Sequence, residues 1–266
     1  MVIKLIRGIK GLFMTALFGL FLGGILIELF FALPLIWCLD RILGPEPDRM
    51  QLAHRILLSF WILMLRLCGL LSAKPTLGKP LDGPCVVVCN HPGLFDVLFL
   101  IRDIPRLSVL VKRTLAKRLP LGPIFRSAGY VLSTDIEENS PLESMVVATE
   151  KLRRGYKFLI FPEGTRSPKG GLRNFKTGAF RIARMTNVPI QPVLIRNTPP
   201  FMPKEDKWYF PPWQISRLEM EYWEPIPPPE TGKEKEYTQT LENRYRGALG
   251  LAEGLRGNAW RLWENG

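Results

Sequence analysis

The apolar residues of this chain are concentrated near its start. A nearly continuous apolar run covers residues 11–38 and is interrupted by one acidic residue, Glu28. The run is preceded by three basic residues, Lys4, Arg7 and Lys10. A helix of this length would measure about 40 Å, more than the hydrocarbon core of a bilayer requires. Glu28 is costly in lipid and Pro34 is expected to kink or end the helix, but the run predicts a membrane-anchoring segment.

A second apolar stretch covers residues 56–71 and contains Arg66. Its length suits an interfacial, re-entrant or packed helix better than a complete span. The basic residues at the start favour a cytoplasmic N-terminus, and a two-helix anchor would keep the rest of the chain on the cytoplasmic face of the inner or cell membrane. His54, just before the second stretch, is expected to cap it at the membrane interface. A secretory signal peptide is the alternative, but the first run is too long and lacks a small-residue cleavage pattern.

From residue 84 onward, short apolar runs alternate with longer amphipathic ones. The short runs predict strands over residues 85–89, 107–111, 129–132, 158–161, 190–195 and 216–223. The amphipathic runs predict helices over residues 95–101, 140–154, 177–185 and 233–263. Such alternation is typical of a largely parallel sheet covered by helices. We therefore predict an α/β fold with a mostly parallel sheet and an N-terminal membrane-anchoring helical segment.

The formal net charge of +12 predicts an anionic partner. Membrane lipid, a phosphorylated substrate and nucleic acid would each fit that charge. The basic residues are scattered among aromatic residues and prolines, whereas 47% of the residues are hydrophobic. This distribution favours a lipid bilayer as the partner and argues against nucleic acid.

The chain has four cysteines, Cys38, Cys68, Cys85 and Cys89. The last two are separated by four positions, which is not a zinc-binding spacing, and only His91 lies nearby. We expect buried, reduced thiols and no metal site.

Two polar motifs directly follow two of the predicted strands. Asn90 and His91 come after the strand over residues 85–89, and the segment PEGTRS, residues 162–167, comes after the strand over residues 158–161. The carboxyl ends of parallel strands share one edge of a sheet, where substrates of open α/β folds bind. The sequence therefore predicts an imidazole beside a cluster that is able to hold an anion.

The residue types at this edge suit the transfer of an acyl group to a hydroxyl. Such a reaction needs a base that works near neutral pH, which histidine provides. Asp96, five residues after His91, would accept the hydrogen bond that holds one imidazole tautomer. Arg166 would grip a phosphate with two hydrogen bonds, and Gly164 and Thr165 would supply further donors.

Each motif by itself has a plainer explanation. A histidine near an aspartate is usually a hydrogen-bonded surface pair, and Glu163 would pair with Arg166 across an ordinary turn. Their joint placement after two successive buried strands favours the functional interpretation. A lipase or thioesterase would need a nucleophile beside His91, and no serine lies in a Gly-x-Ser-x-Gly elbow.

With these motifs the sequence resembles the glycerolipid acyltransferase family, typified by lysophosphatidic acid acyltransferase (1-acylglycerol-3-phosphate O-acyltransferase). The family's Asn-His-x4-Asp block is matched by Asn90, His91 and Asp96. Its Phe-Pro-Glu-Gly-Thr-Arg-Ser block is matched at every position of residues 161–167. The Val-Pro-Ile-x-Pro-Val and Phe-Lys-x-Gly blocks are matched within residues 188–193 and 175–178. All these matches occur in the family's order and spacing.

The resemblance implies a glycerol-3-phosphate acyltransferase-like fold and direct transfer of the acyl group. His91 would take the proton of the acceptor hydroxyl, which attacks the thioester of acyl-CoA or acyl-carrier protein, and Asp96 would orient His91. No cofactor is implied beyond this co-substrate. The acceptor, a lysophospholipid such as lysophosphatidic acid, would be bound by Glu163, Gly164, Thr165, Arg166, Lys176 and Arg126.

One block departs from the family pattern. It usually contains a glycine, three apolar residues and an acidic residue followed by an arginine that contacts the acceptor phosphate. Here residues 129–135 read GYVLSTD and contain no arginine. Either another cation substitutes, such as Arg126, Lys112 or Arg113, or the acceptor is a different lyso-lipid, such as a lyso-aminolipid or a lipid-linked pigment. A non-catalytic membrane-bound scaffold is the alternative from another functional class.

These features divide the chain into three predicted parts. Residues 1–75 are expected to form the membrane anchor of transmembrane or re-entrant helices. Residues 76–230 are expected to form the catalytic acyltransferase domain, including an aromatic and proline-rich loop over residues 199–213. Residues 231–266 are expected to contain a C-terminal helix.

Overall fold

A computed structural model describes residues 2–93, 95–117, 121–132, 141–199 and 215–251 of the chain. Three predicted features fall at least partly outside these ranges. They are residues 133–135 of the altered block, almost all of the proline-rich loop, and residues 252–263 of the predicted C-terminal helix. Within the described residues this helix ends at Ala248, earlier than predicted, because Gly250 has a φ of 70° and takes the chain out of the helical conformation.

The whole N-terminal apolar run is helical. Helix α1 spans Val2–Ile27, a π-helical turn covers Glu28–Ala32, and α2 spans Leu33–Leu43. In this turn the Leu33 N–H donates to the Glu28 carbonyl, five residues earlier. Pro34 has no N–H, and in a regular helix its ring meets the carbonyl four residues earlier. The wider π turn just before Pro34 accommodates this ring, so the helix continues past the proline instead of ending there.

The second apolar stretch belongs to a longer helix, α3, which spans Pro47–Leu67. This helix begins before the predicted residue 56 because Pro47 is favourable in a first turn and the Glu46 side chain accepts a hydrogen bond from the Asp48 N–H. By length and composition, Thr15–Leu43 and Pro47–Leu67 are both candidate membrane spans. The N-terminal part of the chain thus contains two candidate anchor helices.

His54 lies inside α3 and is buried, so the prediction that it caps a helix at the membrane interface is wrong. Its Nδ1 lies 3.3 Å from the Tyr130 hydroxyl. Nearby, the Gln51 side-chain amide donates to the carbonyls of Leu107 and Ala128. The polar first half of α3 therefore packs against the sheet domain, which removes His54 from solvent.

The remaining elements form the sheet domain. The strands are β1 Leu71–Ala73, β2 Val86–Cys89, β3 Leu107–Ser108, β4 Leu110–Val111, β5 Val131–Leu132, β6 Lys157–Ile160, β7 Ile190–Thr198 and β8 Ser216–Tyr222. The helices are α4 Asp96–Asp103, α5 Arg113–Ala116, α6 Leu121–Ser127, α7 Pro141–Arg153, α8 Gly178–Thr186 and α9 Glu234–Ala248.

The main sheet has the strand order β1-β8-β7-β2-β6-β3. Strands β7, β2, β6 and β3 run parallel, and β8 is antiparallel to β7. The prediction of an α/β fold with a mostly parallel sheet is confirmed. As expected, β2 and β6 are parallel neighbours, so the two motifs that follow them share one edge.

The strand predicted over residues 107–111 is divided between two sheets. Its first part, β3, pairs with β6, and its second part, β4, pairs with β5 in a separate two-stranded sheet. The strand predicted over residues 129–132 is shortened because Gly129 has a φ of 79° and forms the turn before β5.

Hydrophobic cores cover both faces of the main sheet. On one face, Val87 packs in a core with Phe21 of α1 and Met50 of α3. On the other face, Val88 packs in a core with Phe180 of α8 and Tyr245 of α9. This division follows the alternation of side chains along β2. The three-part division of the chain stays a prediction. Helix α3 and helix α9 both contact the sheet that carries the motifs.

Candidate active site

The backbone of His91 is fixed from two sides. Before it, the side-chain amide of Asn90 makes two hydrogen bonds of 2.8 Å with the backbone of Ile195, which holds the end of β2 against β7. The His91 N–H donates to Oε1 of Glu163 at 3.1 Å, and the His91 carbonyl accepts the Ser167 N–H at 2.8 Å. The turn over residues 163–167 therefore holds His91 in place.

The side chains of His91 and Asp96 are in direct contact. Nδ1 of His91 lies 3.0 Å from Oδ2 of Asp96, and the same oxygen accepts the Gly93 N–H at 2.6 Å. Asp96 is the first residue of α4, where the helix dipole favours a negative charge. Its side chain is fully buried, whereas that of His91 is 17% exposed. The short turn between the two residues thus produces the pairing expected from their spacing.

The electrostatic environment of this pair assigns a role to each imidazole nitrogen. Burial raises the pKa of Asp96, although its hydrogen bond with His91, the Gly93 N–H and the charge of Arg166 act in the opposite direction. When Asp96 is ionised, it accepts the proton of Nδ1, which leaves Nε2 as the basic nitrogen. This arrangement is suited to a general base that is held by a buried carboxylate.

Glu163 connects the second motif to the first. Its Oε1 accepts hydrogen bonds from the His91 N–H and from the Ser167 hydroxyl at 2.6 Å, and its Oε2 accepts the Arg173 N–H at 2.9 Å. The residue is only 4% exposed. Its carboxylate is thus satisfied by donors of the protein itself, which supports a positioning role. Direct binding of an acceptor by Glu163 stays a prediction.

Basic side chains surround the turn over residues 163–167. Gly164 has a φ of 72°, and a Cβ added there would lie 3.0 Å from Nζ of Lys176, so this ammonium lies against the turn. Arg173 Nε donates to the Arg166 carbonyl at 3.3 Å. Lys176 and Arg173 are exposed, and Arg166 and Thr165 are half-buried. Three cations around a tight turn are well suited to hold a phosphate.

The cations proposed to replace the missing arginine lie on other elements. Arg126 is exposed on α6, which packs against α2, α5 and β5. Lys112 follows β4 and is exposed, and Arg113 begins α5. Their participation in acceptor binding stays a prediction.

None of the four cysteines forms a disulfide, and burial differs among them. Cys85 and Cys89 are buried as expected. Cys38 is exposed on α2 and Cys68 is half-buried, contrary to the expectation of buried thiols. Burial raises the pKa of the Cys89 thiol, the thiol nearest to His91 in the sequence. A neutral thiol is a poor nucleophile. Among the described residues, no group of three or more His, Cys, Asp or Glu side chains would hold a metal ion.

Sequence reasoning missed an aromatic contact in the site. The ring of Phe161 stacks on the imidazole of His91, with ring centroids 4.0 Å apart and planes inclined by 15°. Phe161 was part of the matched block, but only the polar residues of that block were given roles. An aromatic residue at the end of a strand that neighbours β2 was the available signal.

Sequence reasoning also missed the support that α9 gives to the site. Oε2 of Glu242 accepts the Phe175 N–H at 2.8 Å, and Arg246 donates to the Leu172 carbonyl at 3.3 Å. The Tyr245 hydroxyl lies 3.0 Å from the carbonyl of Val88 in β2. Helix α9 thus holds the segment over residues 172–176, which in turn contacts Glu163. Nothing in a polar helix pattern identifies these particular contacts.

Known proteins are similar to the region of the chain that contains both motifs. Residues 73–196, which include both motifs, match the model of the Acyltransferase family. The chain is 33% identical over 128 residues to human 1-acyl-sn-glycerol-3-phosphate acyltransferase beta, covering 47% of this chain and 46% of the relative. It is 31% identical over 140 residues to the 1-acyl-sn-glycerol-3-phosphate acyltransferase of Salmonella typhimurium, covering 50% and 57%. The chain spans about half the length of the curated relatives it matches.

A solved structure shares the fold. The chain resembles the crystal structure of the 1-acyl-sn-glycerophosphate (LPA) acyltransferase PlsC from Thermotoga maritima with a TM-score of 0.71 and 22% sequence identity. The similarity covers 95% of this chain and 100% of that chain. It therefore extends to the N-terminal helices and the C-terminal part, beyond the family match.

Proposed function

We propose that this chain, whose residues 73–196 match the model of the Acyltransferase family, is an O-acyltransferase. It would move a fatty acyl group from acyl-CoA or acyl-carrier protein to the hydroxyl of a lysophospholipid. The observation that carries the proposal is the contact of His91 with the buried carboxylate of Asp96, beside a turn surrounded by cations. Lysophosphatidic acid is the preferred acceptor because the relatives named above act on 1-acyl-sn-glycerol-3-phosphate.

The proposed reaction is a single displacement. Nε2 of His91 takes the proton of the acceptor hydroxyl while the oxygen attacks the thioester carbonyl. The new C–O ester bond forms, the C–S bond breaks, and the imidazolium returns its proton to the leaving thiolate. Asp96 stabilises the imidazolium between these two transfers. No group of the protein is acylated, in keeping with the absence of a serine nucleophile elbow.

The cations around residues 163–167 support a phosphate-bearing acceptor. Arg166, Arg173 and Lys176 would pair with the phosphate of lysophosphatidic acid, and the product would be phosphatidic acid. The missing arginine in residues 129–135 supports the alternative acceptor, a lyso-lipid of another class.

A panel of acceptors tests whether lysophosphatidic acid or another lyso-lipid is the acceptor. Purified protein in lipid nanodiscs is given acyl-CoA or acyl-carrier protein and one of three acceptors: lysophosphatidic acid, a lyso-aminolipid, or monoacylglycerol, which has no phosphate. We expect turnover on lysophosphatidic acid with a kcat/KM at least tenfold above that of the other two. Turnover on phosphate-free acceptors alone would contradict the proposed acceptor, and no turnover with any donor would favour a non-catalytic scaffold.

The apolar helices support attachment to a membrane. Many of their large apolar side chains are exposed, among them Leu20, Phe31, Leu35, Ile42, Ile56 and Leu67. Glu28, in the π-helical turn after α1, accepts a hydrogen bond from the indole N–H of Trp61 in α3. This hydrogen bond lowers the free-energy cost of placing Glu28 in lipid. We place the site on the cytoplasmic face, where the acyl donors are available.

Replacing Glu163 tests its positioning role. We expect Glu163→Ala to lower kcat by about 10²-fold, because small displacements of a catalytic group have effects of this size. Glu163→Gln keeps one acceptor oxygen and should lose about tenfold. The control is Glu150→Ala, whose carboxylate is 56% exposed on α7 and should leave kcat unchanged. Full activity of a folded Glu163→Ala variant, checked by thermal unfolding, would show that the carboxylate does not position His91.

A further inference from the structure

Phe161 covers one face of the imidazole of His91. The centroids of the two rings are 4.0 Å apart and their planes are nearly parallel, inclined by 15°. Strand register brings the two residues near each other, because Val88 of β2 pairs with Ile160 of β6. Phe161 directly follows Ile160, and His91 lies in the turn just after the end of β2. We propose that Phe161 is a positioning residue that fixes the plane of the His91 imidazole and stabilises its protonated form during acyl transfer. This inference rests on the proposed function.

The imidazole needs a constraint beyond its hydrogen bond. The torsion that rotates a histidine ring about its Cβ–Cγ bond is broad, so a ring held at one atom retains angular freedom. Asp96 holds Nδ1 at one edge of the ring. The stacked ring of Phe161 limits tilt of the same plane and leaves Nε2 unobstructed. Together the two contacts fix the direction in which Nε2 accepts a proton.

Phe161 also acts on the charge of His91. The face of an aromatic ring carries negative potential and attracts a cation placed over it. His91 becomes a cation when it accepts the proton of the acceptor hydroxyl. Phe161 has no donor or acceptor of its own, so it stabilises this cation without competing for the proton.

Other charged or titratable groups near His91, including the cations Arg173 and Lys176 around residues 163–167, stay unchanged in the test. Asp96 contacts Nδ1, and Glu163 contacts the backbone N–H. Arg166 acts on the charge of Asp96, and the buried Cys89 is a neutral thiol. A change in the titration of His91 after substitution of Phe161 is therefore assignable to the stacked ring.

Histidine-selective NMR titration tests the proposal without turnover. The chain contains two histidines, so labelled protein gives two sets of imidazole signals, and the set missing in His91→Gln belongs to His91. We expect Phe161→Leu to move the midpoint of the His91 titration to lower pH by about half a unit. We also expect kcat to fall about tenfold with less than a twofold change in KM, and Phe161→Tyr to restore both values.

A core aromatic away from the site provides the control. Phe180 is fully buried on α8, and Phe180→Leu should lower the unfolding temperature without moving the His91 midpoint. If Phe161→Leu does not fold, Phe161→Met takes its place. An unchanged midpoint and an unchanged kcat in an active, folded variant at position 161 would overturn the inference and leave the proposed function intact. A wild-type protein without activity would overturn the proposed function, and the NMR midpoint would still show whether the ring stabilises the cation.

Discussion

Replacing His91 with glutamine is expected to lower kcat for acyl transfer by about 10³-fold or more. General base catalysis contributes about 10²- to 10⁴-fold to reactions of this kind. Glutamine fills part of the same space and keeps hydrogen-bonding atoms, but it does not take a proton near neutral pH. Binding of the acceptor should change little, because the cation cluster and the backbone contacts of residue 91 are retained.

The measurement is the initial rate of thiol release from acyl-CoA at saturating acceptor, with the product lipid measured in parallel. His54→Gln is the control, since His54 is buried on α3 against Tyr130 and takes no part in the site. It should retain kcat. A His91→Gln variant with wild-type kcat would refute the assignment of the base.

Replacing Asp96 with asparagine is expected to lower kcat by about 10³-fold, with little effect on KM. Oδ2 of Asp96 accepts both the proton of His91 Nδ1 and the Gly93 N–H. Asparagine has one acceptor oxygen and no charge, so it does not stabilise the imidazolium. It also does not enforce the tautomer in which Nδ1 carries the proton and Nε2 is unprotonated. Asp103→Asn, at the other end of α4, is the matched control and should retain activity.

Thermal unfolding of Asp96→Asn shows whether the lower kcat comes from a changed active site or from an unfolded protein. Because folding raises the pKa of Asp96, the protein loses stability as the pH rises from the ordinary aspartate range through that raised pKa. Asp96→Asn removes the free-energy cost of burying an ionised carboxylate, so the unfolding temperature of this variant at neutral pH should equal or exceed that of the wild type. A large fall in the unfolding temperature would indicate that the carboxylate stabilises the fold.

The position of the two motifs was predictable from the sequence. Two buried strands are followed closely by the two motifs, one by Asn90 and His91 and the other by residues 162–167. If the strands are parallel, both motifs lie at the same edge of the sheet. The structure shows β2 and β6 as parallel neighbours. The pairing of His91 with Asp96 was predictable for a similar reason, since four intervening residues allow only a short turn.

Other features depend on tertiary packing and carry no local signal. His54 precedes an apolar stretch, and only the docking of α3 on the sheet domain buries it. The division between β3 and β4 depends on which neighbouring strand each half meets. The contact of Tyr245 with Val88 spans 157 residues of the sequence, and that of Glu242 with Phe175 spans 67, so both depend on where α9 packs. Phe161 lies between these cases, because its position was predictable but the orientation of its ring was not.

The central claim is that His91 acts as a base and not as a nucleophile. Rapid mixing of the protein with acyl-CoA in the absence of acceptor tests it most directly, with released thiol and intact protein mass both measured. The proposed mechanism predicts no burst of thiol and an unmodified mass until the acceptor is added, when thiol and product lipid appear together. A burst of one equivalent of thiol with a matching acyl adduct on the protein would contradict it.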